Sequence, residues 1–271
     1  MTIAPARPAS TVVLLRPSPS RFDVFLVRRH DNVAFMGGAY VFPGGRVDDA
    51  DRLLDEARAF HVAAIRELFE EAGILLARHA HGSTIAFTNP DQIARFRKYR
   101  DALADGGITL QDVLSRERLE PDTDSLVLFA HWLTPEIETK RFDTRFFVAV
   151  VPPGQDPMHD ERETTHGEWM DPADAVERCR RDAIALPPPT WTTLRTLSRF
   201  CSVEAVLDWA RSRRIVCVQP GFVKNEQVTM LTLPGDPDHP PLEGFETPEE
   251  TRFILVDGRW RAVPAGPTGS G

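Results

Sequence analysis

Arg66-Glu67-Leu68-Phe69-Glu70-Glu71-Ala72-Gly73-Ile74 puts three carboxylates and one arginine into six residues, closed by a glycine. The stretch reads as the end of a helix. Glu67, Glu70 and Glu71 stand at i, i+3 and i+4 and so share one face. Ile65, Leu68, Phe69 and Ala72 form the apolar stripe of the opposite face. One side is therefore expected in a core, and the other gathers like charges that repel. Acidic helical faces are commonly just solvated, but a hard divalent cation also relieves such a cluster, because Mg²⁺ favours carboxylates together with phosphate oxygens.

The segment upstream favours the second reading. Tyr40-Val41-Phe42-Pro43-Gly44-Gly45 reads as a short strand entering a Gly-Gly turn, where backbone can approach a ligand closely. Phe42-Pro43-Gly44-Gly45 followed by Arg66-Glu67-Leu68-x-Glu70-Glu71-x-Gly73-Ile74 resembles the Nudix box, whose usual pattern is G-x5-E-x7-R-E-U-x-E-E-x-G-U. The second half matches at every fixed position. The first half is stretched: twenty residues separate Gly45 from Arg66, against thirteen in the usual box. Counting forward from Gly45 gives Asp51 for the first box glutamate, and counting back from Arg66 gives Arg58. Glu56 lies between, so spacing leaves that role unassigned.

The resemblance implies an α/β fold, a Nudix-type α/β/α sandwich with a mixed sheet. It implies hydrolysis of a diphosphate within a nucleoside diphosphate linked to another moiety. Carried over by position, Glu67, Glu70 and Glu71 would hold Mg²⁺ or Mn²⁺, and Gly44 would offer its carbonyl. Arg66 would pair with a box carboxylate and orient it; an ordinary surface ion pair is its bland alternative. Family members draw the general base from a box glutamate or from a carboxylate on a late loop. Here that loop is His159-Asp160-Glu161-Arg162-Glu163-Thr164-Thr165-His166-Gly167-Glu168, with Glu161 and Glu163 as candidates. Glu70, Arg66 and Glu163 are thus the catalytic expectations.

Further residues resemble the peroxisomal coenzyme A diphosphatase branch of the superfamily and its bacterial relatives. They are Met36 to Gly45, the insertion inside the box, His131-Trp132-Leu133-Thr134-Pro135 and Arg141-Phe142-Asp143-Thr144-Arg145-Phe146-Phe147. This likeness implies coenzyme A or acyl-coenzyme A as substrate. Arg141 and Arg145 could bind its phosphates bidentately, or could pair with Asp143 or Glu138 as structural ions. The alternatives are an ADP-ribose, dinucleotide or nucleotide-sugar diphosphatase, and a non-catalytic Nudix-fold binding module. Loss of box glutamates would mark the last, and all three are present.

The chain has 271 residues, 42% hydrophobic and 27% charged, the composition of a soluble globular protein. Its net charge of −8 argues against nucleic acid as the main partner, but permits a phosphorylated small molecule bound through a metal. No apolar run approaches the roughly 18 residues of a membrane span. The Pro- and Ala-rich start does not read as a secretory signal, and the end, Thr268-Gly269-Ser270-Gly271, is not a peroxisomal one. Cys179, Cys201 and Cys217 form no metal-binding pair and read as buried structural thiols in a reducing cytoplasm. Homodimers are common in the superfamily, so a homodimer is the expectation for assembly.

The resemblance places a Nudix domain over 10–214, and helical periodicity predicts an insertion within it at about 90–118, opened by Pro90. One box helix is expected, starting near Asp51 to Asp55 and running to Ala72. A β extension is expected over 215–263, including a hairpin of Phe253-Ile254-Leu255-Val256 and Arg259-Trp260-Arg261 about Asp257-Gly258. The last residues, 264–271, are expected to be a disordered tail.

Overall fold

A computed structural model describes residues 3–31, 36–158, 164–224 and 228–265. Its centre is a long strand, β1 (Ala6–Pro17), with three neighbours in the sheet. The chain returns antiparallel as β2 (Phe22–Arg29), then makes the two short strands β3 (Tyr40–Val41) and β4 (Gly44–Arg46). β3 extends the sheet beside β2, whereas β4 runs back along the first half of β1. On the other side of β1 lies β8 (Arg141–Val150), parallel to it over ten residues. β8 in turn pairs with β7 (Val127–Leu133). β9 (Thr164–Met170) covers β2, and β10 (Cys217–Val218) adds to β7 in parallel. The result is a mixed eight-stranded sheet.

Strict alternation along the strands divides the core in two. Val13, Leu15, Val24, Leu26 and Val148 face one layer, while Val12, Leu14, Phe25, Val27 and Phe147 face the other. Strands buried on both faces read as continuous apolar runs, as Val12-Val13-Leu14-Leu15 does. The second layer is built by the box helix and the helical insertion. The first is built by α5 (Pro172–Arg180), α6 (Pro188–Leu197) and α7 (Val203–Ser212). This is the expected α/β/α sandwich.

The box helix differs from the sequence expectation. It is two helices, α1 (Asp49–Leu54) and α2 (Ala59–Ala72). α1 ends at Asp55, whose backbone is extended, and Arg58 restarts the chain into α2. The extra residues of the box are thus spent on a separate helix and the turn after it. α2 closes at Gly73, which adopts a left-handed φ of 70° and donates its N–H to the Phe69 carbonyl. The helical insertion is likewise two helices, α3 (Pro90–Ala104) and α4 (Leu110–Glu117), preceded and followed by the small strands β5 (Ala77–His79) and β6 (Leu119–Pro121).

Beyond β10, a four-stranded antiparallel sheet forms from β11 (Gly221–Lys224), β12 (Thr229–Thr232), β13 (Arg252–Val256) and β14 (Arg259–Val263). β13 and β14 make the expected hairpin. Asp257 and Gly258 at its tip have φ of 49° and 75°, as a tight two-residue turn demands. β11 was not visible as a strand in the sequence pattern. The sheet packs on α6: Phe253 is 1% exposed and meets Trp191 edge to face, with ring centroids 5.5 Å apart. The expected tail lies mostly outside the described residues. The cysteine expectation needs correction. Cys201 and Cys217 are exposed and Cys179 is half-buried, because Cys217 sits on the short outer strand β10 and Cys201 in the bend before α7. No helix among the described residues is long and apolar enough to cross a membrane.

Candidate active site

The site forms where β4 passes between β1 and α2. Ile65, Leu68, Phe69 and Ala72 are buried against the sheet, all at 1% exposure or less. The opposite face of α2 turns towards β4 and α1. Gly44 lies against β1, and a Cβ there would come within 2.3 Å of the Ser10 carbonyl oxygen. At Gly45 a Cβ would stand 2.4 Å from a Glu67 carboxylate oxygen. The two glycines are therefore needed for different reasons: the first to let β4 seat on β1, the second to leave room for Glu67.

Arg66 is the hub. It is 7% exposed, so it is no surface ion pair. Its Nε donates to Asp51 Oδ1 at 2.9 Å and its Nη2 to Asp51 Oδ2 at 3.0 Å, a bidentate fork. Nη2 also donates to the Arg46 carbonyl at 2.7 Å. Nη1 reaches Glu67 at 2.9 Å and Glu70 at 3.3 Å. The inserted helix α1 thus supplies the partner that spacing left open, and it is Asp51, not Glu56. Asp51 is 1% exposed and accepts the Asp48 backbone N–H through Oδ2 as well. Glu71, buried on the β4 side, accepts the Gly44 N–H at 2.9 Å.

Burial dominates the electrostatics. It pushes the Glu67 carboxyl up to about 7, against the opposing pull of Arg66. Burial also raises Glu70, again opposed by Arg66. These side chains offer hard carboxylate oxygens, the donors that suit Mg²⁺ or Mn²⁺. Among the described residues, however, no three acidic, histidine or cysteine side chains are gathered as a ready metal cage. Glu67 and Glu70 are instead drawn to Arg66, and Glu71 to the backbone of Gly44.

Two residues that sequence reasoning gave no role complete the support. Arg100 of α3 donates from Nε to the Glu70 carbonyl at 2.8 Å and from Nη2 to the Glu71 carbonyl at 2.9 Å. A cation here satisfies carbonyls left without helical partners and complements the negative end of the helix. Gln155 is 4% exposed and bonds both the N–H and the C=O of Leu75, fixing the chain just after α2. Neither could be found from local spacing, because both act from more than 25 residues away.

The two candidate phosphate arginines part company. Arg141 is buried at the start of β8 and donates to the Thr134 and Ala4 carbonyls. Its Nε and Nη1 join two backbone segments rather than pairing with Asp143 or Glu138. Arg145 lies next to Ser10 on one side of β1, as Gly45 does on the other. That places it about 10 Å from Gly45, two strand spacings away. Its guanidinium stacks 3.7 Å over the Phe60 ring at the start of α2. Glu161 and Glu163 lie outside the described residues.

A layered sheet that presents a box helix, a Gly-Gly strand turn and a carboxylate face held by an arginine defines a Nudix hydrolase. The chain belongs to the NUDT19 Nudix family: the NUDT19 Nudix domain model matches residues 51–197. The chain is similar to "Acyl-coenzyme A diphosphatase NUDT19" of Homo sapiens, 27% identical over 94% of this chain and 84% of that protein. The Xenopus laevis protein of the same name is 25% identical over 89% and 82%. "Putative nudix hydrolase 7" of Caenorhabditis elegans is 29% identical over 85% and 73%. Among solved structures, a NUDIX hydrolase from Alicyclobacillus acidocaldarius superposes with a TM-score of 0.66 at 27% identity, covering 76% of this chain and 97% of that one.

Proposed function

We propose that this Nudix hydrolase cleaves the diphosphate of coenzyme A or an acyl-coenzyme A, yielding 3′,5′-adenosine diphosphate and the matching phosphopantetheine. Glu67, Glu70, Glu71 and the Gly44 carbonyl would hold Mg²⁺ or Mn²⁺. The names of the human and Xenopus relatives support the substrate class. The observation that carries the metal reading is the double anchoring of Arg66. Asp51 and the Arg46 carbonyl hold its Nε and Nη2, so Glu67 and Glu70 share only Nη1. Both can turn towards a cation without stranding a buried guanidinium.

A divalent ion would neutralise diphosphate charge and lower the pKa of a bound water. In the reaction the water oxygen bonds to one phosphorus, and the bond from that phosphorus to the bridging oxygen breaks. The leaving phosphate keeps the electron pair, and a carboxylate base takes the proton, with Glu163 as the candidate. Arg145, a half-buried cation, is the phosphate contact favoured over Arg141.

The test is product analysis by mass with coenzyme A and Mg²⁺ or Mn²⁺, comparing wild type with Glu71→Gln. The glutamine keeps an oxygen for the Gly44 N–H, so the fold should persist while activity falls by about 100-fold or more, at least the loss seen when residues supporting metal ligands are removed. Absence of 3′,5′-adenosine diphosphate would overturn the substrate reading. An unimpaired Glu71→Gln enzyme would overturn the metal reading.

A further inference from the structure

The inserted helix α1 and the turn between α3 and α4 face each other across a cavity of about 340 Å³ beside α2. That volume lies within the range of small-molecule sites. One part of its wall is charged: Asp48, Asp51 and Glu70 against the single cation Arg66. The rest is apolar, formed by Leu54, Val62, Leu103, Ile108 and Leu110, with Thr109 and Gln111 adding neutral polar groups. Ala104, Gly106, Thr109 and Gln111 are exposed, so the cavity has a rim open to solvent.

From this wall we infer that the cavity receives the neutral arm of the substrate, the pantetheine chain, and that the nucleotide lies elsewhere. The inference rests on the coenzyme A reading above and assigns the halves of that substrate. The one cation in this lining is Arg66, whose Nε and Nη2 are already taken by Asp51 and the Arg46 carbonyl, so the wall offers no partner for the additional 3′-phosphate of the nucleotide. An uncharged chain of methylenes and amides needs no such partner. Its methylenes suit the leucine and isoleucine wall, and its amides can bond to the side-chain amide of Gln111 at the rim. Glu70 and Arg66 belong both to this wall and to the carboxylate face, so the arm would lead away from the reacting diphosphate directly. The open rim leaves an outlet for an acyl group at the far end of the arm. Both walls, α1 and the α3–α4 turn, come from segments that lengthen the Nudix pattern, which makes them determinants of specificity.

The experiment measures inhibition of coenzyme A hydrolysis by each product separately, in wild type, Ala104→Trp and Ile108→Trp. Ala104 is exposed at the rim, so its variant keeps the core intact, and thermal melting checks both proteins. The expected result is a loss of at least about ten-fold in affinity for 4′-phosphopantetheine, with inhibition by 3′,5′-adenosine diphosphate shifted less than about two-fold; ten-fold corresponds to about 1.4 kcal/mol. Equal weakening of both products, weakening of the nucleotide alone, or no change in folded variants overturns the assignment. If wild type fails to cleave coenzyme A, the substrate reading falls and the assignment falls with it. Cleavage by wild type with unchanged product inhibition in the variants sinks the assignment alone.

Discussion

Asp51 and Arg66 meet through two parallel hydrogen bonds, 2.9 and 3.0 Å long, with the carboxylate 1% and the arginine 7% exposed. The pair ties the inserted helix α1 to the box helix α2 across a break of four residues. It also holds the guanidinium at the centre of the carboxylate face. Asp51→Ala removes both bonds of the fork but leaves Arg66 its contacts with Glu67 and Glu70. Hydrogen bonds to charged groups contribute about 1.5–3 kcal/mol, so stability in urea unfolding is expected to fall by that order. Glu56→Ala is expected to change it little, since Glu56 is exposed and its contact with Arg52 is a surface pair. Equal effects of the two substitutions would refute the role of Asp51.

The adjacent glycines give a contrast. An added Cβ at Gly44 meets backbone, the Ser10 carbonyl at 2.3 Å and the Thr11 Cα at 2.7 Å. At Gly45 its three nearest neighbours all belong to the end of the Glu67 side chain. Gly44→Ala should thus destabilise the fold, with a melting temperature several degrees lower, because strand β4 must move off β1. Gly45→Ala should melt close to wild type while losing at least about ten-fold in kcat/KM, because a flexible carboxylate yields where backbone does not. A Gly45→Ala enzyme with full activity would show that the position of Glu67 does not matter.

Much of this site was legible in the sequence because it is local. The box helix carries its carboxylates and its apolar stripe within a few turns, and helical spacing alone sorts them onto opposite faces. Thr11 to Leu15, from its β-branched content, and Thr144 to Val151 likewise read as strands. What failed to show were contacts set by tertiary structure. Arg100 enters the sequence reading only as an alternative to Tyr99 in the helical period of the insertion, yet its guanidinium caps α2. Asp51 could be placed only once the insertion was seen to fold back as α1. Arg141 and Arg145 look alike in sequence, and only the ends of β1 and β7 decide that the first is committed to backbone.

The docked C-terminal sheet makes its own prediction. Phe253 is buried between β13 and α6, against Trp191. Glu250, beside the same strand, is buried and pairs with both Arg180 of α5 and Arg195 of α6. Phe253→Ala should cost about 3–5 kcal/mol, and should lower the unfolding midpoint of the whole chain in one transition. Two separate transitions, with the box unaffected, would mean that the C-terminal sheet folds independently of the layers beneath it.

Burial of Glu67 predicts a pH dependence of stability whose sign is opposite to that of an ordinary paired carboxylate. Its pKa rises from 4.5 to about 7 on folding, so between those values the unfolded chain has released a proton that the folded chain retains. Stability from this group is complete below pH 4.5 and is lost as pH rises through 7. Each ten-fold difference in proton affinity between the folded and unfolded chain is worth about 1.4 kcal/mol, so the loss is of order 3 kcal/mol. Glu70, raised in the same direction, adds to it. Other groups titrate over the same range, so the informative quantity is the difference between wild type and Glu67→Gln in chelator-treated protein. That difference should widen in favour of Glu67→Gln from pH 5 to pH 7.5. Added Mg²⁺ should narrow it, because a cation favours the ionised carboxylate. A difference that stays flat with pH would show that Glu67 is already ionised at pH 5 in the folded protein, held so by Arg66.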